Sequence, residues 1–286
     1  MSRGKTLDPR RKRALLEYLF DELVDEAAEH GEFLPPAAQA VTRRGPGGST
    51  DEDLWLAVRS LMNVRPPWPA SGEFLAAQDE LLQGLIAEAG VTGLDGTTPA
   101  PIDPRLRLWR GDITTLAVDA IVNAANSGMT GCWAPLHYCI DNAIQTYAGV
   151  QLRAECAALM EEQGYPEPTA QAKVTEAYNL PSRRVIHTVG PIAEGHPTAE
   201  HRRQLAQAYE ACLDAAADEG LESIAFCCIS TGVFGFPQAE AADIAVRTVR
   251  TWLDAHPQTP MTVVFNVFGE VDEALYQKLL GMGATA

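Results

Sequence analysis

Basic residues are scarce in this sequence: 22 lysines and arginines stand against 38 aspartates and glutamates, a formal net charge of −16 at pH 7. Such a charge repels polyanions at long range, which argues against general nucleic-acid binding but leaves room for a small anion held by local backbone donors. Long apolar runs are missing as well. None approaches the ~20 residues that a membrane-crossing helix needs, and the opening MSRGKTLDPRRKRALLEYLF lacks the small-residue cleavage site of a secretory signal. The expectation is a cytoplasmic protein with no membrane partner. Cysteine is sparse too. The chain has six, two of them adjacent at Cys227 and Cys228, which makes a poor disulfide framework and reads as reduced thiols or metal ligands. What the chain does have is apolar residue content, 46% over 286 positions, enough to build one large core or two ordinary ones.

The first third reads as helix. Residues 12–30 place Leu15, Leu16, Leu19, Phe20 and Leu23 at helical spacing, and GEFLPP ends the run. The stretch STDED then supplies an N-cap and an acidic first turn for DLWLAVRSLMNVR, which Pro66, Pro67 and Pro69 stop. FLAAQDELLQGLIAEAG forms a third helix, and VTGLDGTTPAPIDP, rich in Gly, Thr and Pro without periodicity, reads as a linker near residue 100. The expected division is a helical N-terminal extension over 1–100 and a second domain over 101–286. In that second part LRLWRGDI, DAIVNAAN, RVIHTVG, SIAFCCIS and TVVFNVF alternate with amphipathic stretches such as HRRQLAQAYEACLDAAADEG and QAEAADIAVRTVRTWLDAH. This pattern predicts an α/β fold with a mainly parallel sheet covered on both faces, whose ligands gather at the carboxyl ends of the strands.

Three segments fall at such strand ends: GDIT at 111–114, NAANSGMTGCWAPLHYCIDNAI at 123–144 and STGVFGFP at 230–237. In the last, Ser230, Thr231, Gly232, Val233, Phe234 and Gly235 lie between an apolar strand and a helix, where small residues let backbone N–H groups converge on phosphate oxygens; a plain turn with two glycines is the competing reading. Phe236 can cover a ribose face or pack in the core. Asp112 can accept from an exocyclic amine while the neighbouring amide of Ile113 donates to a ring nitrogen, or it can cap a turn. Asn123 and Asn126 can bind sugar hydroxyls or close the turn after their strand. Phe268, after the last strand, can stack on a base or be buried.

Together the three segments resemble the macrodomain family over roughly residues 104–280. The resemblance implies a three-layer α/β/α fold with a mixed, largely parallel sheet that binds ADP-ribose. Asp112 and Ile113 would then meet adenine near Phe268, Asn123 and Asn126 would lead into the distal ribose, and the 230–236 loop would wrap the diphosphate. The chain departs from the usual family pattern after N-A-A-N. Where a glycine-rich stretch is normal it carries Gly131, Cys132, Trp133, Ala134, Pro135, Leu136, His137, Tyr138 and Cys139. This matches a zinc-containing branch in which G-C-x4-H-x-C supplies two thiolates and an imidazole, here Cys132, His137 and Cys139. Three such donors suit Zn²⁺ and leave a fourth position for a water or a substrate oxygen. A closed structural site would need a fourth ligand, and His187, Cys227 and Cys228 read as buried strand residues; a site without metal is the remaining alternative.

Asp141 sits two residues after the last expected ligand, where the resemblance implies a catalytic aspartate acting with Asn126 on the distal ribose; a helix N-terminal carboxylate is the structural alternative. The activity implied is zinc-dependent removal of ADP-ribose from a mono-ADP-ribosylated protein. A non-catalytic reader of ADP-ribose with a structural zinc is the first alternative, and a hydrolase of O-acyl- or phospho-ADP-ribose the second. The branch also implies two partners, a sirtuin-like ADP-ribosyltransferase and a lipoyl-carrier protein.

Overall fold

The computed structural model describes residues 6–283, so the outermost ends of the two expected domains lie outside the described residues. Two compact units emerge, and the chain visits the first one more than once. That unit takes the residues up to Val91, then Thr130–Leu159 and Tyr178–Leu180; the other takes Thr92–Met129, Met160–Ala177 and the remainder.

The first unit is helical. Helix α1 (Pro9–Glu29) starts where Asp8 accepts from the Arg10 N–H at 2.9 Å with Pro9 in the first turn, an arrangement that satisfies donors the helix cannot use itself. Helix α2 (Pro36–Arg44) is a helix that the Pro35–Pro36 pair disguises as a break. Helix α3 (Asp51–Val64) opens on the expected cap, a box in which Thr50 and Asp53 exchange side-chain and backbone bonds, and it stops before Pro66. Helix α4 (Gly72–Ala89) follows. The expected leucines of α1 are all buried, in one core with Leu54, Val58 and Leu61 of α3 and Leu81 and Leu82 of α4. Val150 belongs to the same core and Tyr147 packs against it, because α5 (Ile140–Ala148) and α6 (Val150–Gln163) bring the middle of the chain here. Helix α6 escapes periodicity analysis because its buried side includes Arg153 and Cys156 beside Val150 and Leu152, so it carries no apolar stripe.

The second unit holds the sheets. The segment expected as a linker instead carries β1 (Thr92–Gly93) and β2 (Thr98–Ala100), and β3 (Asp103–Arg110) begins within it. Then come β4 (Leu116–Ala117), β5 (Ala120–Ala124), β6 (Ala172–Glu176), β7 (Arg184–Thr188), α7 (Ala199–Asp218), β8 (Ser223–Phe226), α8 (Gln238–Ala255), β9 (Thr262–Val267) and α9 (Glu270–Leu279). Strands β1 and β4 form a small parallel pair, and the other seven make one sheet in the order β2-β3-β9-β8-β5-β7-β6. Pairing is parallel through the middle and antiparallel only at the edges, β2 on β3 and β6 on β7. The expected mixed, largely parallel sheet is therefore present. Neighbouring β3, β9, β8 and β5 run the same way, so the segments that follow them, GDIT, Phe268, STGVFGFP and the end of N-A-A-N, line up along one edge of the sheet. Among the described residues no helix is long and apolar enough to cross a membrane.

Candidate functional site

At the carboxyl edge of the sheet, Gly111 ends β3 by donating to the Val267 carbonyl at 3.1 Å and accepting from Asn266 Nδ2 at 2.9 Å, which ties the GDIT turn to β9. Asp112 then caps a 3-10 turn over Ile113–Thr115: its Oδ1 accepts from the Thr114 N–H at 3.0 Å and the Thr114 hydroxyl at 2.7 Å. The residue is exposed, and both of these bonds go to Oδ1. Phe268, on the neighbouring loop, stands 62% exposed, as a stacking platform requires and a core residue would not.

The loop after β8 is shaped for an anion. Ser230 adopts φ +66°, a left-handed conformation costly for a residue with a side chain, and Gly235 adopts φ +65°. The loop is braced from within by Phe236 N–H to Ser230 O at 2.9 Å and Gly235 N–H to Gly232 O at 3.0 Å, and from the 190–195 segment by Ala193 and Glu194 N–H to Phe234 O. Among the described residues no acceptor takes the N–H of Gly232, Val233 or Phe234. Three consecutive unpaired donors on a braced loop form a cradle for phosphate oxygens. Val233 itself is 80% exposed. Phe236 differs: at 2% exposure its ring is packed in the core and offers no face to a ribose.

Asn123 and Asn126 part company. Asn126 is half-buried, and its Oδ1 accepts from the Gly128 N–H at 2.9 Å, closing the turn that opens the loop. Asn123 is wholly buried, and its Nδ2 lies 3.1 Å from His187 Nδ1 on the adjacent strand β7. The Nδ2 of Asn123 is therefore engaged within the sheet. The far nitrogen of His187 lies 2.9 Å from Thr175 Oγ1 on β6, so the Nε2–H tautomer satisfies both contacts. Burial pushes His187 down to about 4, which keeps it neutral. It is the buried strand residue that the sequence suggests. Cys227 and Cys228 are held protonated by burial as well, the first pushed up to about 12.

In the helical unit, Cys132, His137 and Cys139 converge, with Sγ, ring nitrogen and Sγ all within 4.8 Å of one another, and among the described residues no other cluster of three metal-binding side chains forms. Cys132 Sγ lies 3.4 Å from His137 Nδ1. A tetrahedral zinc with bonds of about 2.0–2.3 Å separates its ligands by roughly 3.5–3.8 Å, so these residues fit the ion. Cys139 also caps α5, with the Asn142 N–H donating to its sulfur at 3.4 Å. Burial pushes its thiol up to about 12, so a thiolate there requires a cation to stabilise it.

The loop's support was invisible in the sequence. The buried Arg153 of α6 donates to four carbonyls, those of Thr130, Met62, Asn63 and Arg65, and stacks under Trp133 with its guanidinium 4.4 Å from the ring centroid. It closes the carbonyl end of α3 in place of the basic last-turn residue that α3 lacks. Burial lowers Arg153 to about 10, while the nearby charge of Asp141 opposes that shift. Asp141 is itself buried at 6% exposure in the first turn of α5. No motif marks Arg153 or Asn63, whereas Asp141 lies inside a stretch that sequence patterning singles out.

The macro domain family profile matches residues 122–245. A protein-ADP-ribose hydrolase of Treponema medium is 56% identical over 232 residues, 80% of this chain and 88% of its own. Its namesake from Staphylococcus aureus MRSA252 is 45% identical over 273 residues, covering 95% of this chain and 97% of its own. Among solved structures, the Trypanosoma brucei macrodomain in complex with ADP-ribose superposes with a TM-score of 0.59 at 28% identity, covering 97% of this chain and 98% of that one. With the strand-end loops, the mixed sheet and relatives this similar over nearly their whole length, the chain belongs to the macro domain family.

Proposed function

We propose that this protein is a hydrolase that removes ADP-ribose from mono-ADP-ribosylated protein, and that it holds zinc through Cys132, His137 and Cys139. The observation that carries the reading is the Cys–His–Cys cluster, placed in the chain directly after the N-A-A-N loop and directly before Asp141, in a protein whose relatives are named protein-ADP-ribose hydrolases. Recognition comes from the sheet unit. Asp112 Oδ2 accepts the adenine amine, Phe268 offers its exposed face to the base, and the Gly232, Val233 and Phe234 amides take the diphosphate, which explains how a chain of net charge −16 binds an anion. Zinc, when bound, supplies Lewis-acid charge. Asn126 shapes the loop that leads to the distal ribose. Asp141, buried in the first turn of α5, can orient or deprotonate the incoming water. The resemblance extends the proposal to a cytoplasmic protein acting on a lipoyl carrier modified by a sirtuin-like transferase.

The burial of Asp141 favours one competing reading, a non-catalytic ADP-ribose reader in which the aspartate only supports α5 and Arg153. Turnover separates the two. Incubating the protein with a mono-ADP-ribosylated carrier should release free ADP-ribose, and chelator or Cys132→Ala should stop release while ADP-ribose affinity is largely kept. Cys132 is the better target because Cys139 also caps α5. Absence of single-turnover release by zinc-loaded wild type leaves the reader; full release by a zinc-free Cys132→Ala protein overturns the zinc dependence.

A further inference from the structure

We propose that Asn63, on α3, is a positioning residue for the metal loop, setting His137 for its role as a ligand. The inference rests on the zinc reading above. Leu136, immediately before His137, adopts φ +57°, a left-handed conformation that is unfavourable for a branched side chain and needs support from its surroundings. That support comes from α3: Asn63 Oδ1 accepts the Leu136 N–H at 2.9 Å.

The asparagine is itself fixed on every side. It is 2% exposed, its Nδ2 donates to Thr146 Oγ1 at 2.9 Å, and its carbonyl accepts from Arg153 Nη2 at 2.9 Å. Its Oδ1 therefore has one orientation, aimed at the loop. One helical turn earlier on the same face, Arg59 donates to Asn142 Oδ1 at 2.9 Å, and Asn142 Nδ2 donates to the Ala134 carbonyl at 3.2 Å. The Asn142 backbone N–H reaches Cys139 Sγ. So α3 grips the loop at Leu136 directly and at Ala134 through Asn142, on either side of Pro135 and just before the imidazole. Groups that orient metal ligands in this way are part of what sets a site's affinity and geometry.

The test uses the full chain and reads the metal itself. Zinc affinity is measured by competition with a chromophoric chelator, and site geometry by the visible absorption of the cobalt(II)-substituted protein. Asn63→Ala should weaken zinc about 10–100-fold, the range for lost support of a metal ligand, and should change the cobalt bands. Asn63→Asp, which keeps an acceptor for Leu136, should recover affinity and spectrum. Thr146→Val, which removes the contact that fixes Asn63 Nδ2 and the Thr146 bond to the Asn142 carbonyl but leaves the acceptor for Leu136, should weaken zinc less than Asn63→Ala.

If Asn63→Ala does not fold, the Asn63→Asp protein still decides. A wild-type spectrum in Asn63→Asp supports the inference, and loss of zinc there overturns it. Equal zinc affinity and identical cobalt spectra in wild type and Asn63→Ala overturn it with the zinc reading intact. A wild type that takes up no zinc removes the zinc reading and the inference with it.

Discussion

At Asp112 the division of labour between two oxygens makes a sharp test. Oδ1 holds the Thr114 N–H and hydroxyl, and the proposed function assigns Oδ2 to the adenine amine. Asp112→Asn can keep the cap with its carbonyl but then presents an NH₂ donor to the adenine amine, so ADP-ribose affinity should fall by ~1–3 kcal/mol with little loss of stability. Asp112→Ala should lose that affinity and about 1 kcal/mol of stability as well. Calorimetry and thermal melts on both variants separate the effects, and undiminished affinity in Asp112→Asn removes the residue from the adenine site. His187 carries a different consequence. Its folded value of about 4 lies below the ordinary 6.5, so the unfolded chain binds the proton more readily; the stability His187 contributes is present above about pH 6.5 and is lost as pH falls towards 4. The loss is on the order of 3 kcal/mol. Urea denaturation across that window should show wild type losing about that much more than His187→Gln, the carboxylates common to both cancelling. Parallel curves for the two proteins would contradict a neutral buried His187.

The shape of the 230–235 loop, the proposed phosphate cradle, is a property of two elements rather than of its own sequence. Ser230 holds its left-handed turn because the 190–195 segment closes over the loop, and Gly190 makes the approach possible: a Cβ there would run into Ser230 Oγ and lie 2.7 Å from Ile229 Cγ2. Gly190→Ala should therefore shift the 230–235 loop, at an overpacking cost of about 1–3 kcal/mol, and weaken ADP-ribose about tenfold in a titration followed by calorimetry. Adding Ser230→Gly removes the obstructing hydroxyl and relaxes the backbone, so the double variant should bind better than Gly190→Ala alone. Failure of that rescue would show that the contact with Ser230 is not what holds the cradle. Sequence patterning placed the loop correctly at a strand end, yet it could not distinguish the exposed Val233 from the buried Phe236 three residues later, because that depends on which side of the turn meets the core.

Across the whole chain, the helical unit is not a self-contained appendage built from the first residues. Residues 130–159 return to it, and Val150 enters the core formed by Leu16, Leu54 and Leu82 while Tyr147 packs against it. Removing the residues through Val91 takes away the apolar partners of α5 and α6 and the α3 contacts to the metal loop. A protein starting at Thr92 should aggregate or run as a mixture by size exclusion and should fail to retain zinc after dialysis. A monodisperse, zinc-loaded product would mean that residues 130–159 need no helical partner.

Three parts of this protein follow from sequence alone, each because the deciding interaction is local. Leu15, Leu16, Leu19, Phe20 and Leu23 make a helix face by spacing; Val, Ile and Phe runs followed by small residues make buried parallel strands with loops at their carboxyl ends; and Cys132, His137 and Cys139 lie within eight residues, close enough for one turn of chain to gather them. Polar residues whose partners are distant were decided only by the tertiary structure. The Nδ2 of Asn123 meets His187 of β7, 64 residues away, and Asn63 looks like the end of an ordinary helix until Leu136 arrives 73 residues later. A buried amide or guanidinium is specified by the group that satisfies it, and spacing along the chain carries no record of a partner that only folding brings near.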